Sequence, residues 1–501
     1  MLFSSLEFIL IFLPLVALGF FALGRLGNRQ LAIGWLVAAS LIFYAYWKPP
    51  YLVLLMASMA GNFAVGKWLD RTTGTTPKRK ALLVAGIAAN LLLLGYYKYS
   101  NFVVESLGNL AGTNWEMEKI FLPLAISFFT FQQIAFLVDQ YRGNDIQYSF
   151  LDYCLFVTFF PQLIAGPIVH HKAVLPQFSD PKTFKPQDEN LAVGLTIFIL
   201  GLFKKIVIAD HAADFANPVF EITAGGGMPT WAEAWTGALA YSFQLYFDFS
   251  GYSDMAIGLG RMFGIALPMN FNSPYKATSI VDFWRRWHIT LSVFLRDYLY
   301  IPLGGNRHGP VRRYVNLFLT MLLGGLWHGA GWTYILWGAL HGFYLCVNHA
   351  WISLRKKVGW SPTYNPWWWR TLACAFTFFA VLIGWVIFRS ENISSAITIL
   401  EVMSGLHGFE LATSFKAGET AGILLLIGGL TWLCPNTQQL MAQFRPVYDW
   451  DRAQHELAPL SWHQSWMAWT PSTTRAVLLT GAMLVVFLNM NRVQEFLYFQ
   501  F

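Results

Sequence analysis

Charge is what this chain has least of. Asp, Glu, Lys and Arg make up 12% of its 501 residues against 55% apolar ones, too few to solvate the surface of a soluble protein of this length. Cysteine is scarce too. Cys154, Cys346, Cys374 and Cys434 sit within or at the ends of apolar runs, without the paired spacing of a disulfide framework or a zinc ribbon. They read as small buried hydrophobes. No internal repeat or low-complexity stretch is evident, which removes the simplest support for a transporter built from inverted halves. A net charge of +7 would point to nucleic acid in a soluble chain, but here the basic residues are divided among short loops. Their meaning is orientation in a membrane, and no nucleic-acid partner is expected.

What the chain has in plenty is long apolar runs. Stretches able to cross a hydrocarbon core of ~30 Å occur near 5–24, 31–47, 51–66, 81–98, 119–138, 151–169, 191–209, 233–249, 314–331, 333–350, 371–388, 420–434 and 474–490. Met1 to Gly24 lacks a basic start and a small-residue cleavage site, so it reads as a retained first span. Loops 67–80 and 351–370 are basic, whereas 99–118, with Glu105, Glu116 and Glu118, and 210–235, with Glu221, are acidic. By the positive-inside rule the first pair is cytoplasmic. The alternation closes if 151–169, with Pro161, Gly166 and Pro167, enters and leaves on the cytoplasmic side. The expectation is one all-α, polytopic membrane domain over 1–501, with about 12 crossings plus re-entrant and interfacial helices around a central passage. Loop 435–473 is then cytoplasmic, and both termini, with the tail 491–501, are extracytoplasmic.

Two histidines carry the chemistry. His328 lies in Leu322-Leu-Gly-Gly-Leu-Trp-His-Gly329, and fourteen residues from Tyr314 at 1.5 Å each place it roughly 21 Å into the membrane. A titratable group there calls for a function. Burial keeps it neutral and able to accept a proton, as a general base does; the other reading is a structural histidine bonded between helices. Gly324, Gly325, Trp327 and Gly329 around it suit the lining of a passage. His288 follows Ser279-Ile-Val-Asp282, which has capping-box spacing. The pattern predicts one helix with Trp284, Trp287, His288, Leu291 and Leu295 along a single face, and for His288 simple packing is the competing reading. A metal site would need a third ligand, and Asp248 and Asp254 face about 120° apart on a helix that Gly251 can break; no metal is expected. Arg285, Arg286, Arg296 and Arg307 can hold the phosphates of a coenzyme donor or meet anionic lipid headgroups.

The segments Gln244–Gly260, Phe283–His288, Leu295–Tyr300, Leu303–Arg307 and Leu319–Gly329 resemble the membrane-bound O-acyltransferases, in particular the membrane subunit of bacterial alginate O-acetyltransferase. The core motifs fall within 240–342. The resemblance implies that His328 is catalytic and His288 is the second important histidine. It implies an inner-membrane enzyme that takes acetyl from a cytoplasmic donor such as acetyl-coenzyme A, with no permanently bound cofactor. The acceptor would be an extracytoplasmic polysaccharide such as alginate or cellulose, reached with an SGNH or esterase-like partner. Peptidoglycan acetylation and D-alanyl transfer to teichoic acid stay open, and a proton-coupled transporter is the alternative class.

Overall fold

The computed structural model describes residues 1–501 apart from 72, 73, 75, 114, 116, 144–147, 360–365, 412–416, 462, 463, 493–495 and 498–501. Among the described residues every regular element is helical. The longer ones are α1 (Phe8–Arg25), α2 (Arg29–Ala45), α3 (Pro50–Arg71), α4 (Pro77–Ala111), α5 (Ile126–Tyr141), α6 (Phe150–Thr158), α7 (Asp188–Ala224), α8 (Trp231–Met262), α9 (Ile280–Arg286), α10 (Ile289–Leu295), α11 (Gly309–His328), α12 (Trp332–Lys357), α13 (Trp367–Arg389), α14 (Ile393–Met403), α15 (Ala417–Leu433) and α16 (Thr473–Asn489).

Five of these, α1, α3, α4, α7 and α13, are long and apolar enough to cross a membrane. In α1, α3 and α4 less than a third of the apolar window is buried by protein, and leucines such as Leu10 and Leu18 stand outward. Water would not tolerate that much apolar surface, so its solvent is lipid. The chain is a multi-pass membrane protein.

Helix ends follow local chemistry. Asn28 accepts from the Leu31 N–H to start α2, and Thr76 accepts from Arg79 N–H ahead of Pro77 at the start of α4. Two boundaries differ from the sequence reading. Helix α4 runs on to Ala111, through most of the acidic loop expected at 99–118. Helix α8 continues through Gly251 to Met262, because Gly251 is a close-packing position: a Cβ there would lie 2.8 Å from the Gly201 carbonyl oxygen. Glu116 lies outside the described residues.

The chain forms two compact units. The first comprises 1–199, 252–268 and 443–453. Its core gathers Phe3, Phe8, Phe12, Phe43 and Phe160, with neighbouring ring centroids 5.0–6.0 Å apart. The segment 151–169 is broken as expected, with α6 ending at Thr158 and a second short helix over Phe160–Leu163. Protein satisfies its irregular backbone: Gln162 Nε2 donates to the Phe156 carbonyl at 2.7 Å, and Phe160 N–H donates to Ser40 Oγ at 3.2 Å.

The second unit comprises 200–251, 269–442 and 454–501. In it α11 and α12 form a helical hairpin whose backbones touch at Gly325 and Gly338, where a Cβ on Gly338 would sit 2.5 Å from the Met321 carbonyl oxygen. A π-helical turn, Phe203–Ala209, presents Lys205 to Asp210 at 2.7 Å and to Asp248 at 2.8 Å. Asp248 also accepts the Leu497 N–H at 3.1 Å, so Leu497 is fastened to α8 by a buried charge cluster.

Candidate active site

The site belongs to the second unit and is built around a break in the expected helix. Ser279 accepts from Asp282 N–H, but the Asp282 carboxylate takes the Thr278 N–H instead of closing a full capping box. Helix α9 ends at Arg286, His288 adopts φ +43°, and α10 begins at Ile289. The single helix expected over 280–295 is therefore two. Left-handed backbone at a non-glycine residue costs about 1–2 kcal/mol, and Asn270 supplies the compensation. Its carbonyl accepts from Ile289 N–H at 3.0 Å, while its side-chain oxygen takes the Thr290 hydroxyl at 2.9 Å and N–H at 3.3 Å.

The same Asn270 Oδ1 lies 3.1 Å from His288 Nδ1. An amide oxygen only accepts, so Nδ1 carries the proton and Nε2 keeps the lone pair. His288 is fully buried with the Phe249 ring edge-on at 4.7 Å. Its tautomer and direction are set by a residue eighteen positions earlier in the chain.

His328 is the last residue of α11, immediately before the extended Gly329. Both histidines neighbour one indole: ring centroids are 6.5 Å apart for His288 and Trp327, and 5.0 Å for Trp327 and His328. Trp337 at 5.2 Å and Phe388 at 5.6 Å complete the walls around His328. The surrounding glycines serve different neighbours. A Cβ on Gly329 would collide with the Tyr334 ring, one on Gly325 with the backbone of α12, and one on Gly324 would meet only Leu295, at 3.3 Å.

A third histidine escaped sequence reasoning. His341 lies one turn beyond Trp337 on the same face of α12 and is fully buried among Trp284, Trp337, Trp385 and Tyr344. Neither ring nitrogen has a hydrogen-bond partner among the described residues. Gly384 makes room for it, since a Cβ there would be 2.8 Å from His341 Nε2. The available signal was the spacing Trp337, His341, Tyr344, which repeats at four and three residues. Asn270 carried no comparable signal.

A family model described as "MBOAT, membrane-bound O-acyltransferase family" matches residues 108–390, which contain both histidines, the break at His288 and Trp327. The chain is 41% identical, over 100% of its length and 98% of the relative's, to the peptidoglycan O-acetyltransferase of Helicobacter pylori. It is 39% identical, over 100% of both chains, to a Pseudomonas aeruginosa protein named "Probable alginate O-acetylase AlgI". The chain belongs to the membrane-bound O-acyltransferase family. It is an acyltransferase. A more distant likeness, 30% identical over 53% of this chain and 68% of the relative, is to the teichoic acid D-alanyltransferase of Streptococcus thermophilus.

Of the four arginines expected near a donor in this acyltransferase, two are engaged. Arg286 bonds Asp282 at 2.7 Å and the Asn272 carbonyl at 3.3 Å, and Arg296 forks onto Asp297 at 2.6 and 3.0 Å. Arg285 and Arg307 are exposed, with no carboxylate partner among the described residues. Arg285 and Arg313 both act electrostatically on His349, a basic cluster that the sequence reading did not single out.

In the first unit, Asp139, His170 and His171 bring three potential metal-ligand atoms within 4.8 Å of one another. Burial pushes the His171 imidazole down to about 3. Burial alone would raise the Asp139 carboxyl, but the hydrogen bond from His170 and the nearby Lys172 charge hold it below the usual range. His170 Nδ1 accepts from Lys172 N–H at 3.3 Å, so its Nε2 bears the proton and donates to Asp139. Arg142 at 3.9 Å from Asp139 adds a repelling charge for any cation there.

Proposed function

We propose that this acyltransferase moves acetyl from a cytoplasmic donor, acetyl-coenzyme A, to hydroxyls of an extracytoplasmic polysaccharide. The carrying observation is the pair of buried histidines that both neighbour Trp327, inside the segment that matches the family. His328 removes the proton from the acceptor hydroxyl. The hydroxyl oxygen bonds to the thioester carbonyl carbon, the carbon–sulfur bond breaks, and the departing thiolate takes the proton back from the imidazolium. His288, held by Asn270, positions the reacting groups. Arg285 and Arg307 are the arginines left to hold donor phosphates, and Gly324 and Trp327 line the passage.

In this reading residues 1–501 act as one domain with twelve crossings in the cell inner membrane and both termini outside. An SGNH or esterase-like partner works with it on the extracytoplasmic side. Alginate-type and peptidoglycan acceptors are both consistent with relatives near 40% identity over the full chain, and D-alanyl transfer has the weaker support of a partial match. The test is mass spectrometry of surface glycans from cells with and without the protein. Loss of ester-linked acetyl supports the reading, and unchanged acetylation contradicts it.

A further inference from the structure

The second unit holds a groove that the acyl-transfer chemistry does not use. Its volume is ≈ 680 Å³, and it is walled by Trp367, Arg370, Cys374 and Phe378 of α13, Trp432 of α15 and Lys276. That size is within the range of ligand pockets, about 300–1,000 Å³. The α13 residues recur at three and four positions and so form one face.

The polar groups of the wall are turned into protein. Trp432 Nε1 donates to the Tyr275 carbonyl at 2.9 Å, and Cys374 Sγ lies 3.2 Å from the same oxygen. What remains toward the groove is apolar surface bordered by two cations. Lys276 Nζ donates to the Cys434 carbonyl at 2.7 Å, and neither it nor Arg370 has a carboxylate partner among the described residues. Asp282, the acid whose charge reaches Cys374, is engaged by Arg286 at 2.7 Å. The groove is also remote from the reacting histidine. From Phe378 the packing runs through Tyr275 at 5.0 Å, then Trp385, bonded to Tyr275 at 3.1 Å, then Trp337 at 5.8 Å, before reaching His328 at 5.2 Å.

We propose that this groove binds an anionic phospholipid, with an acyl chain lying along the wall that the contacting rings of Phe378 and Trp432 form and the phosphate held by Lys276 and Arg370. The placement at the start of a membrane-crossing helix, beside exposed Trp367 and Trp368, matches where headgroups and interfacial tryptophans lie. An amphiphile with one negative charge complements a long apolar wall with two uncompensated positive charges. The packed rings between groove and His328 separate this ligand from the acyl group in transfer.

The test is native mass spectrometry of the full-length protein in detergent, titrated with dioleoyl phosphatidylglycerol, dioleoyl phosphatidylcholine, coenzyme A and inorganic phosphate. Phosphatidylglycerol should be retained as a single adduct and phosphatidylcholine should bind at least about tenfold more weakly. The double variant Lys276→Gln/Arg370→Gln should lose roughly twentyfold in phosphatidylglycerol affinity, about fivefold per cation. Ala375→Trp, which fills the groove and leaves both cations, should also lose the adduct. Equal retention of the two lipids, or unchanged binding by either variant, overturns the proposal. Displacement of phosphatidylglycerol by coenzyme A would give the groove to the donor, and displacement by phosphate alone would reduce it to an anion site; both overturn it as well.

Discussion

Asn270 holds His288: one side-chain oxygen accepts from the imidazole Nδ1–H at 3.1 Å and from the Thr290 hydroxyl at 2.9 Å. Removing that oxygen leaves a buried donor unpaired, at about 1–3 kcal/mol, and frees the imidazole to take the other tautomer. Asn270→Leu is expected to lower acetyl transfer at least tenfold, while Asn270→Asp, which keeps an acceptor at the same place, recovers part of it. Radiolabel transfer into glycan by purified membranes measures both. Equal activity of Asn270→Leu and wild type would show that the tautomer does not matter.

His341 keeps two ring nitrogens without a hydrogen-bond partner among the described residues, in an aromatic core where a phenylalanine of similar shape would be more stable. His341→Phe is expected to raise the thermal midpoint of the detergent-solubilised protein and to lower activity more than tenfold, with His341→Gln restoring some activity. A stabilised, fully active His341→Phe would make His341 a packing residue only.

The tail of the chain is expected to be structural. Asp248 compensates Lys205 and anchors Leu497, and Phe496 packs 6.0 Å from Phe249. Asp248→Ala removes one of the two carboxylates on Lys205 and the acceptor of the Leu497 N–H, and about 1–3 kcal/mol should be lost, with Asp210 still paired to the ammonium. Deleting residues 496–501 should lower the thermal midpoint by less, because Lys205 keeps both aspartates. A deletion that leaves the midpoint unchanged would mean the tail is only an interfacial anchor.

Topology is testable by thiol labelling. Arg79 is a poor probe position, since it is buried and donates to the Leu69, Gly74 and Gln140 carbonyls; exposed Lys78 or Lys80 serves instead. Cysteines at Lys78 and Lys356 should react only from the cytoplasm, and one at Glu221 only from outside. Outside labelling at 356 would overturn the twelve-crossing arrangement.

Much of this was legible in the residues. Apolar runs located most helices, because lipid-facing helices need apolar residues on every side. The motif around Trp327-His328 carried the family. Tertiary contacts decided the rest. The periodicity through Trp287, His288 and Leu291 continues across the α9–α10 break, and only Asn270, distant in sequence, turns the chain there. Gly251 looked like a helix breaker but serves close packing against Gly201. Arg286 and Arg296 looked available for phosphates, and their carboxylate partners became visible only with side chains in place.

The most direct measurement is the acetyl content of surface glycan in cells carrying His328→Ala, compared with His288→Ala and wild type at equal membrane abundance. Loss of a general base costs about 10²–10⁴-fold, so His328→Ala should show background acetyl ester while the protein still inserts. His288→Ala should retain a measurable fraction. Wild-type acetylation in His328→Ala would contradict the catalytic assignment.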